Sequence, residues 1–299
     1  MSRLRTWTHG QAVIGMVMAT MMWSMAGVVT RQLEHARSFE ITFWRSFFTV
    51  LSLLVILPLW QGMGVFRRMQ WRSRTFWLSG ACWCVMFTAF MIALTLASVG
   101  NVLVTMAIGP LLTALGARLF IGHRLPLRTW CAIALAGLGI AYMFGSQLQM
   151  GRSTQAMGML VALCVPIAGA IQWTLTQRGQ AQGEAAIDLV PCVLVGAVLS
   201  AVLMLPLSIP FTATPTDVAW LGLLGLVQLA IPCVMSVVCA RVLLAPEVSL
   251  LALLEVIFGI LLAWVGAGEV PGPTMLVGGA LVVGAMAGNE WLGWRQRHA

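Results

Sequence analysis

Ten long apolar stretches divide the chain, at 11–31, 39–60, 76–96, 99–121, 127–145, 156–177, 187–207, 217–239, 245–266 and 271–292. Each is close to the ~20 residues that a helix needs to cross a hydrocarbon core. Their interiors lack the apolar/polar alternation of an outer-membrane strand, so the pattern predicts helices and excludes a β-barrel. Pro58, Pro126, Pro206, Pro210, Pro215, Pro271 and Pro273 mark the ends of stretches, where a missing N–H costs least. Pro110, Pro166, Pro191 and Pro232 fall inside them and free backbone groups that protein or water must satisfy. Only a tight turn near Ser98-Val99-Gly100 separates the third stretch from the fourth. The first stretch follows Arg3 and Arg5 as a signal peptide would, but it is long and nine more follow, so it is predicted to be a retained helix.

Composition strengthens this picture. The 299 residues are 60% hydrophobic and 9% charged, with a mean hydropathy of +0.93. A soluble domain carries roughly 25% charged residues, and a chain this apolar would expose patches that water does not tolerate. The net charge is +8 and every basic residue is Arg. A basic protein can bind nucleic acid, but these arginines sit in short loops between apolar runs rather than on one polar face, so no nucleic-acid partner is expected. With the N-terminus inside, Arg3, Arg5, Arg67, Arg68, Arg72, Arg74, Arg118, Arg124, Arg128, Arg178, Arg241, Arg295 and Arg297 all face the cytoplasm. Arg31, Arg37 and Arg152 face outward, and Arg45 lies within the second stretch. That asymmetry predicts an inner-membrane protein with both termini cytoplasmic.

The chain also repeats itself. Gly122-His123-Arg124-Leu125-Pro126 closes the fourth stretch as Gly268-Glu269-Val270-Pro271 closes the ninth. Gly137, Ala141 and Gly145 recur at i, i+4, i+8 in the fifth, as do Ala280, Gly284 and Gly288 in the tenth; such ladders let helix backbones approach closely. Five spans per half is an odd number, so the second half enters the membrane from the opposite side. The predicted fold is all-α: ten transmembrane helices as two inverted five-helix repeats, with a substrate site near the midplane between them. The boundaries are 1–10 for a cytoplasmic N-terminus, 11–145 for the first repeat, 146–155 for a linker loop, 156–292 for the second repeat and 293–299 for a cytoplasmic C-terminus.

Several motifs resemble the EamA-type ten-helix members of the drug/metabolite transporter superfamily. Trp23-Ser24 resembles that family's first-span signature, and Arg45 in Phe43-Trp44-Arg45 its second-span arginine. The run from Ala97-Ser98-Val99-Gly100 to Pro110-Leu111-Leu112, and the block Ala245 to Leu251 with Leu254-Glu255-Val256 and Gly268-Glu269, resemble its fourth- and ninth-span blocks. The chain departs from the pattern at Val256, where Pro is usual, and at His123, where Glu is common. The resemblance implies a secondary transporter, with a cavity lined by the first, third, fourth, sixth, eighth and ninth spans. It favours export of an amino acid or related compound, with import of a vitamin, sugar or nucleotide-like metabolite as the alternative; a non-transport membrane assembly factor fits the paired halves and midplane polar residues less well.

Few residues carry chemistry inside the stretches. Glu255 lies about ten residues into the ninth, where an acid costs roughly 2.5–3.5 kcal/mol to insert; it is the candidate proton carrier, cation partner or partner of Arg45. Arg45 can take a carboxylate or phosphate bidentately, or can snorkel or pair structurally. Trp23 with Ser24, Trp173 with Gln172, and the i, i+4 pair Asn101 and Thr105 are the candidate substrate contacts. Glu40, Glu247, Asp188 and Glu290 lie near stretch ends and are expected to be solvated. Cys82, Cys84, Cys131, Cys164, Cys192, Cys233 and Cys239 all fall in apolar segments, with neither a disulfide framework nor zinc spacing, and are expected to be buried apolar fillers. No enzyme is expected: His9, His35, His123 and His298 lie in loops or termini, no His-Glu-x-x-His or Walker motif occurs, and only one acid is deeply placed. No cofactor or metal is implied; the expected partners are a small-molecule substrate and the lipid bilayer, for a monomer or homodimer.

Overall fold

The computed structural model describes residues 7–121, 126–181, 188–243 and 245–298. The helical segments are α1 (His9–Thr30), α2 (Ser38–Gln61), α3 (Arg74–Leu96), α4 (Val99–Met106, then Gly109–Ile121), α5 (Leu127–Gln149), α6 (Ser153–Ala181), α7 (Pro191–Ser208), α8 (Pro215–Cys239), α9 (Ala245–Ala252, then Leu254–Ala267) and α10 (Pro273–His298). Among the described residues, nine stretches are long and apolar enough to span a bilayer, and α10 contributes a shorter apolar piece, Pro273–Asn289. The ten-span expectation is therefore met at nine positions.

Local chemistry sets the helix ends. Thr8 and Gln11 form a capping box at the start of α1, and Thr214 and Asp217 form another at the start of α8. The Ser73 hydroxyl accepts from Phe76 N at the start of α3. Gly268 closes α9 at φ 67°, a left-handed conformation that suits glycine.

Three helices are interrupted. α4 breaks at Ala107–Ile108, just before Gly109-Pro110; Pro110 has no N–H for the Met106 carbonyl. α9 breaks at Leu253, where the Leu253 and Val256 amides bond three residues back instead of four. α8 widens into a π-helical stretch at Leu224–Ala230, two residues before Pro232. The breaks in α4 and α9 correspond: each follows a piece of 8 residues and precedes one of 13 or 14.

Packing follows an exchange pattern between the halves. α3 packs on α6 as α8 packs on α1; α3 meets α7 as α8 meets α2; and α4 meets α6 as α9 meets α1. The pairs α2–α7, α4–α9 and α5–α10 are their own counterparts.

The close approach of α5 and α10 does not use the expected ladders. A Cβ at Gly139 would lie 2.8 Å from the Gly278 carbonyl oxygen, and one at Gly278 would lie 2.9 Å from that of Gly139. Gly137, Gly145, Gly284 and Gly288 have open space beside them. Small residues at i, i+4 mark a face, but only the partner decides which face is used.

A close contact joins α3 to α7. A Cβ at Gly196 would overlap Trp83 Cβ and lie 3.0 Å from both Cys84 N and the Gly80 carbonyl oxygen. Backbone cannot step aside as a side-chain tip can. Overpacking typically costs about 1–3 kcal/mol and more where relaxation is blocked. Gly196→Val is therefore expected to lose most of the monodisperse protein on size-exclusion chromatography, whereas Gly137→Val should elute like wild type.

One of the end-of-stretch acids is more buried than expected. Glu40 is fully buried and accepts from Thr212 N, Ala213 N, the Thr212 hydroxyl and Trp44 Nε1. It is the fixed anchor of the α7–α8 loop rather than a solvated end, because those backbone donors have no other acceptor within the loop. Asp188 pairs with Arg241 at 2.5 Å and Glu247 with His9 at 3.5 Å, both part-exposed. Cys82, Cys192, Cys233 and Cys239 are buried as expected, whereas Cys131 and Cys164 are exposed on the outer faces of their helices. Residues Arg3, Arg5, Gly122, His123, Arg124 and Leu125 lie outside the described residues.

Candidate functional site

The three interrupted helices border one cavity. Its volume is about 900 Å³ including the open mouth. It lies between the halves: α1, α2, α3 and α4 supply one side and α6, α8 and α9 the other. Six of these helices are the expected lining, and α2 is added through Arg45.

The wall is apolar and aromatic. Trp23, Trp83, Phe87, Phe90 and Trp173 contribute rings, and Met86 and Met106 contribute adaptable thioethers. Trp83 stands edge-on to Trp173, with ring centroids 6.2 Å apart and planes at 90°, and lies 5.4 Å from Phe87. Trp83 Nε1 is buried without an acceptor. The breaks bring Ala107, Gly109 and Pro110 of α4 and Ala252 and Leu253 of α9 to the wall. Irregular backbone at membrane depth is tolerated where it lines a cavity.

Two ionisable groups face this space. Arg45 is fully buried; Nη1 donates to Gln228 Oε1 at 3.2 Å and Nη2 to the Phe87 carbonyl at 2.5 Å, and Nε is left without a partner. Gln228, from the π-helical stretch of α8, donates in turn to the Trp23 carbonyl at 3.4 Å. One guanidinium therefore ties α2 to α3 and α8, and through Gln228 to α1. Glu255 sits at the start of the second piece of α9, partly buried, and makes no hydrogen bond or ion pair with any described residue. Arg45 and Glu255 thus share a cavity without touching. Cys233 lies within electrostatic reach of both.

Four of the residues singled out from sequence meet at the cavity: Trp23, Arg45, Trp173 and Glu255. The other four lie off its wall. The Ser24 hydroxyl donates to the Met21 carbonyl at 2.7 Å, and that of Thr105 to the Asn101 carbonyl at 2.7 Å. Gln172 is fully buried and accepts from the Ser79 hydroxyl at 2.7 Å. Asn101 Nδ2 donates to Gln155 Oε1 at 3.1 Å, beside a separate polar pocket. Sequence reasoning missed Trp83, Phe87 and Phe90, which fall at i, i+4, i+7 on one face of α3.

Residues 10–145 match the family model described as the EamA-like transporter family. Over those residues the chain is similar to the EamA-like transporter family, within the drug/metabolite transporter superfamily. This family is one of membrane transporters of small molecules, and the chain is a multi-pass membrane protein. No curated protein matches the chain. A protein of known crystal structure is 18% identical, with a TM-score of 0.66 over 95% of this chain and 99% of that one. At that identity the likeness concerns the fold alone.

Proposed function

We propose that this chain carries a small metabolite across the inner membrane by alternating access, as two inverted five-helix repeats with both termini cytoplasmic. The observation that carries the reading is the cavity between the halves, with an aromatic wall and a carboxylate that has no hydrogen bond or ion pair among the described residues, bordered by breaks in α4, α8 and α9. The exchange pattern of helix contacts and the matching breaks in α4 and α9 support the repeat. In this reading Trp23 and Trp173 form the substrate platform. Arg45 shapes the site by holding α3 and α8, and Glu255 carries a proton or receives a cationic group. Amino acids or related compounds, moved outward, are the proposed cargo; Ser24, Asn101, Thr105 and Gln172 then act from behind the wall or along the path.

Uptake of a labelled metabolite panel into proteoliposomes tests the function. Saturable uptake of amino acids is the expected result, and no saturable uptake of any panel member would reject the transporter reading. Cells over-expressing the protein should tolerate toxic amino-acid analogues with lower internal analogue; sensitisation would reverse the direction. In a cysteine-free background, cysteines at positions 152 and 213 should label from outside, and those at 70 and 182 only after permeabilisation. Position 182 lies outside the described residues. Labelling of position 70 in intact cells would reject the orientation.

A further inference from the structure

The loop between α2 and α3, residues 62–73, joins two helices long and apolar enough to span a bilayer, so it lies at a membrane surface. Packing holds it in place. Val65, on a single helical turn at Val65–Arg68, and Met69 are buried in the same apolar cluster as Leu57 and Phe76. The Trp71 ring stands edge-on to that of Phe76, with centroids 5.6 Å apart, and the Trp71 carbonyl accepts from Trp77 Nε1 at 2.8 Å. Ser73 N donates to the Gln70 carbonyl at 2.9 Å and closes the last turn before α3.

This fixed surface is strongly basic. It carries Arg67, Arg68 and Arg72, and Arg74 opens α3; no Asp or Glu occurs anywhere in residues 41–183. All four arginines are exposed. Arg68 folds back onto the Gly64 and Gln61 carbonyls at 3.3 and 3.4 Å. Arg67, Arg72 and Arg74 have no hydrogen bond or ion pair with a described residue. Arginines at other helix ends are engaged: Arg31 by Glu269, Arg241 by Asp188 and Arg37 by the Pro210 carbonyl. Large apolar side chains surround the free three and are exposed as well. Leu59 is 81% exposed and Met63 76%, with Trp71 and Trp77 about half-exposed beside them. Tryptophans of this kind lie at headgroup level in a bilayer. A soluble anion would meet the guanidiniums alone; a lipid with an anionic headgroup meets the guanidiniums and the apolar side chains together.

We propose that the α2–α3 loop is a binding site for anionic phospholipid. Arg67, Arg72 and Arg74 meet the headgroup phosphates, Trp71 and Trp77 lie at the level of the glycerol backbone, and Leu59 and Met63 lie against the acyl chains. The site does not depend on what the central cavity carries or on which leaflet the loop faces.

The test is binding of radiolabelled phosphatidylglycerol to the purified, delipidated full chain in detergent, measured by scintillation proximity. Phosphatidylcholine with the same acyl chains is the neutral comparison. Each basic residue near an anionic lipid contributes about fivefold, so wild type should prefer phosphatidylglycerol by about tenfold or more. Arg72→Gln should weaken that binding about fivefold. The triple variant Arg67→Gln, Arg72→Gln, Arg74→Gln should bring it close to the level of phosphatidylcholine. Arg152→Gln removes the same charge at an exposed position in the α5–α6 turn and should leave binding unchanged. All the exchanged side chains are exposed, and elution volume and melting midpoint check that each variant folds. Equal binding of the two lipids by wild type would overturn the proposal, as would a triple variant that binds phosphatidylglycerol like wild type. Weakening by Arg152→Gln as large as that by Arg72→Gln would reduce the preference to net charge and reject the site. Glycerol 3-phosphate, which has the phosphate without the chains, should not compete; displacement at concentrations similar to those of the lipid would assign the arginines to a soluble phosphoryl ligand instead.

Discussion

Exchanging Arg45 for leucine is expected to lower the melting midpoint in detergent and to remove transport, and by more than exchanging Gln228 for leucine. Arg45 is wholly inside the protein and donates to groups on two other helices. Hydrogen bonds from a charged donor contribute about 1.5–3 kcal/mol each when a partner is removed. Leucine fills much of the volume but leaves Gln228 Oε1 in an apolar wall without its donor. Removing Gln228 as well takes away that orphan, so the double variant should lose less than the sum of the two. A coupling of roughly 0.5–3 kcal/mol is the range for residues in direct contact. Lysine should not rescue Arg45, because a single ammonium cannot hold acceptors on α3 and α8 at once. An unchanged melting midpoint in Arg45→Leu would show that the guanidinium does not brace these helices. Loss of transport in Arg45→Lys without loss of stability would instead assign it to the substrate.

Much of this architecture was legible in the sequence because bilayer thickness ties helix length to apolar run length. The run at 99–121 became α4 and that at 245–266 became α9. Pro110 inside its stretch announced the α4 break. The break at Leu253 had no such signal, because no proline or glycine lies there. The side-chain faces were the harder part. In water, apolar periodicity separates core from solvent; in lipid both faces of a helix are apolar, so Trp83, Phe87 and Phe90 look the same whether they line a cavity or meet acyl chains. The same ambiguity placed the α5 and α10 ladders one face away from Gly139 and Gly278, where the backbones meet. Polar residues were better guides. Glu255, Arg45, Trp23 and Trp173 converge, since a charged or amphipathic group inside a span is costly anywhere except a cavity or a paired interior. Glu40 misled by its place near a helix end: its partners come from residues 212 and 213, far away in sequence.

Exchanging Glu255 for glutamine is expected to abolish accumulation driven by a pH gradient while leaving downhill exchange of substrate in place. Every other acid whose side chain is described is committed or lies at a loop. Glu40 holds Thr212 and Ala213, Asp217 caps α8, Glu269 holds Arg31, Asp188 meets Arg241, Glu247 meets His9, and Glu34 is exposed in the α1–α2 loop. Glu255 alone among them faces the central cavity, and the nearby cation is bound elsewhere. An acid in that setting, with no fixed counter-charge in contact, lowers its electrostatic cost by taking up a proton or by receiving a cation. Glutamine keeps the shape and the hydrogen-bonding oxygen but can release no proton. In proteoliposomes with an imposed gradient, the ratio of internal to external substrate should fall by about tenfold or more, to the level reached without a gradient; a tenfold ratio corresponds to about 1.4 kcal/mol of lost coupling. Counterflow of labelled against unlabelled substrate, which needs no net proton movement, should persist in the variant. If counterflow disappears together with accumulation, Glu255 is a substrate contact rather than a proton carrier. If the glutamine variant still accumulates substrate in step with the gradient, the proton travels by another route and the coupling role is wrong.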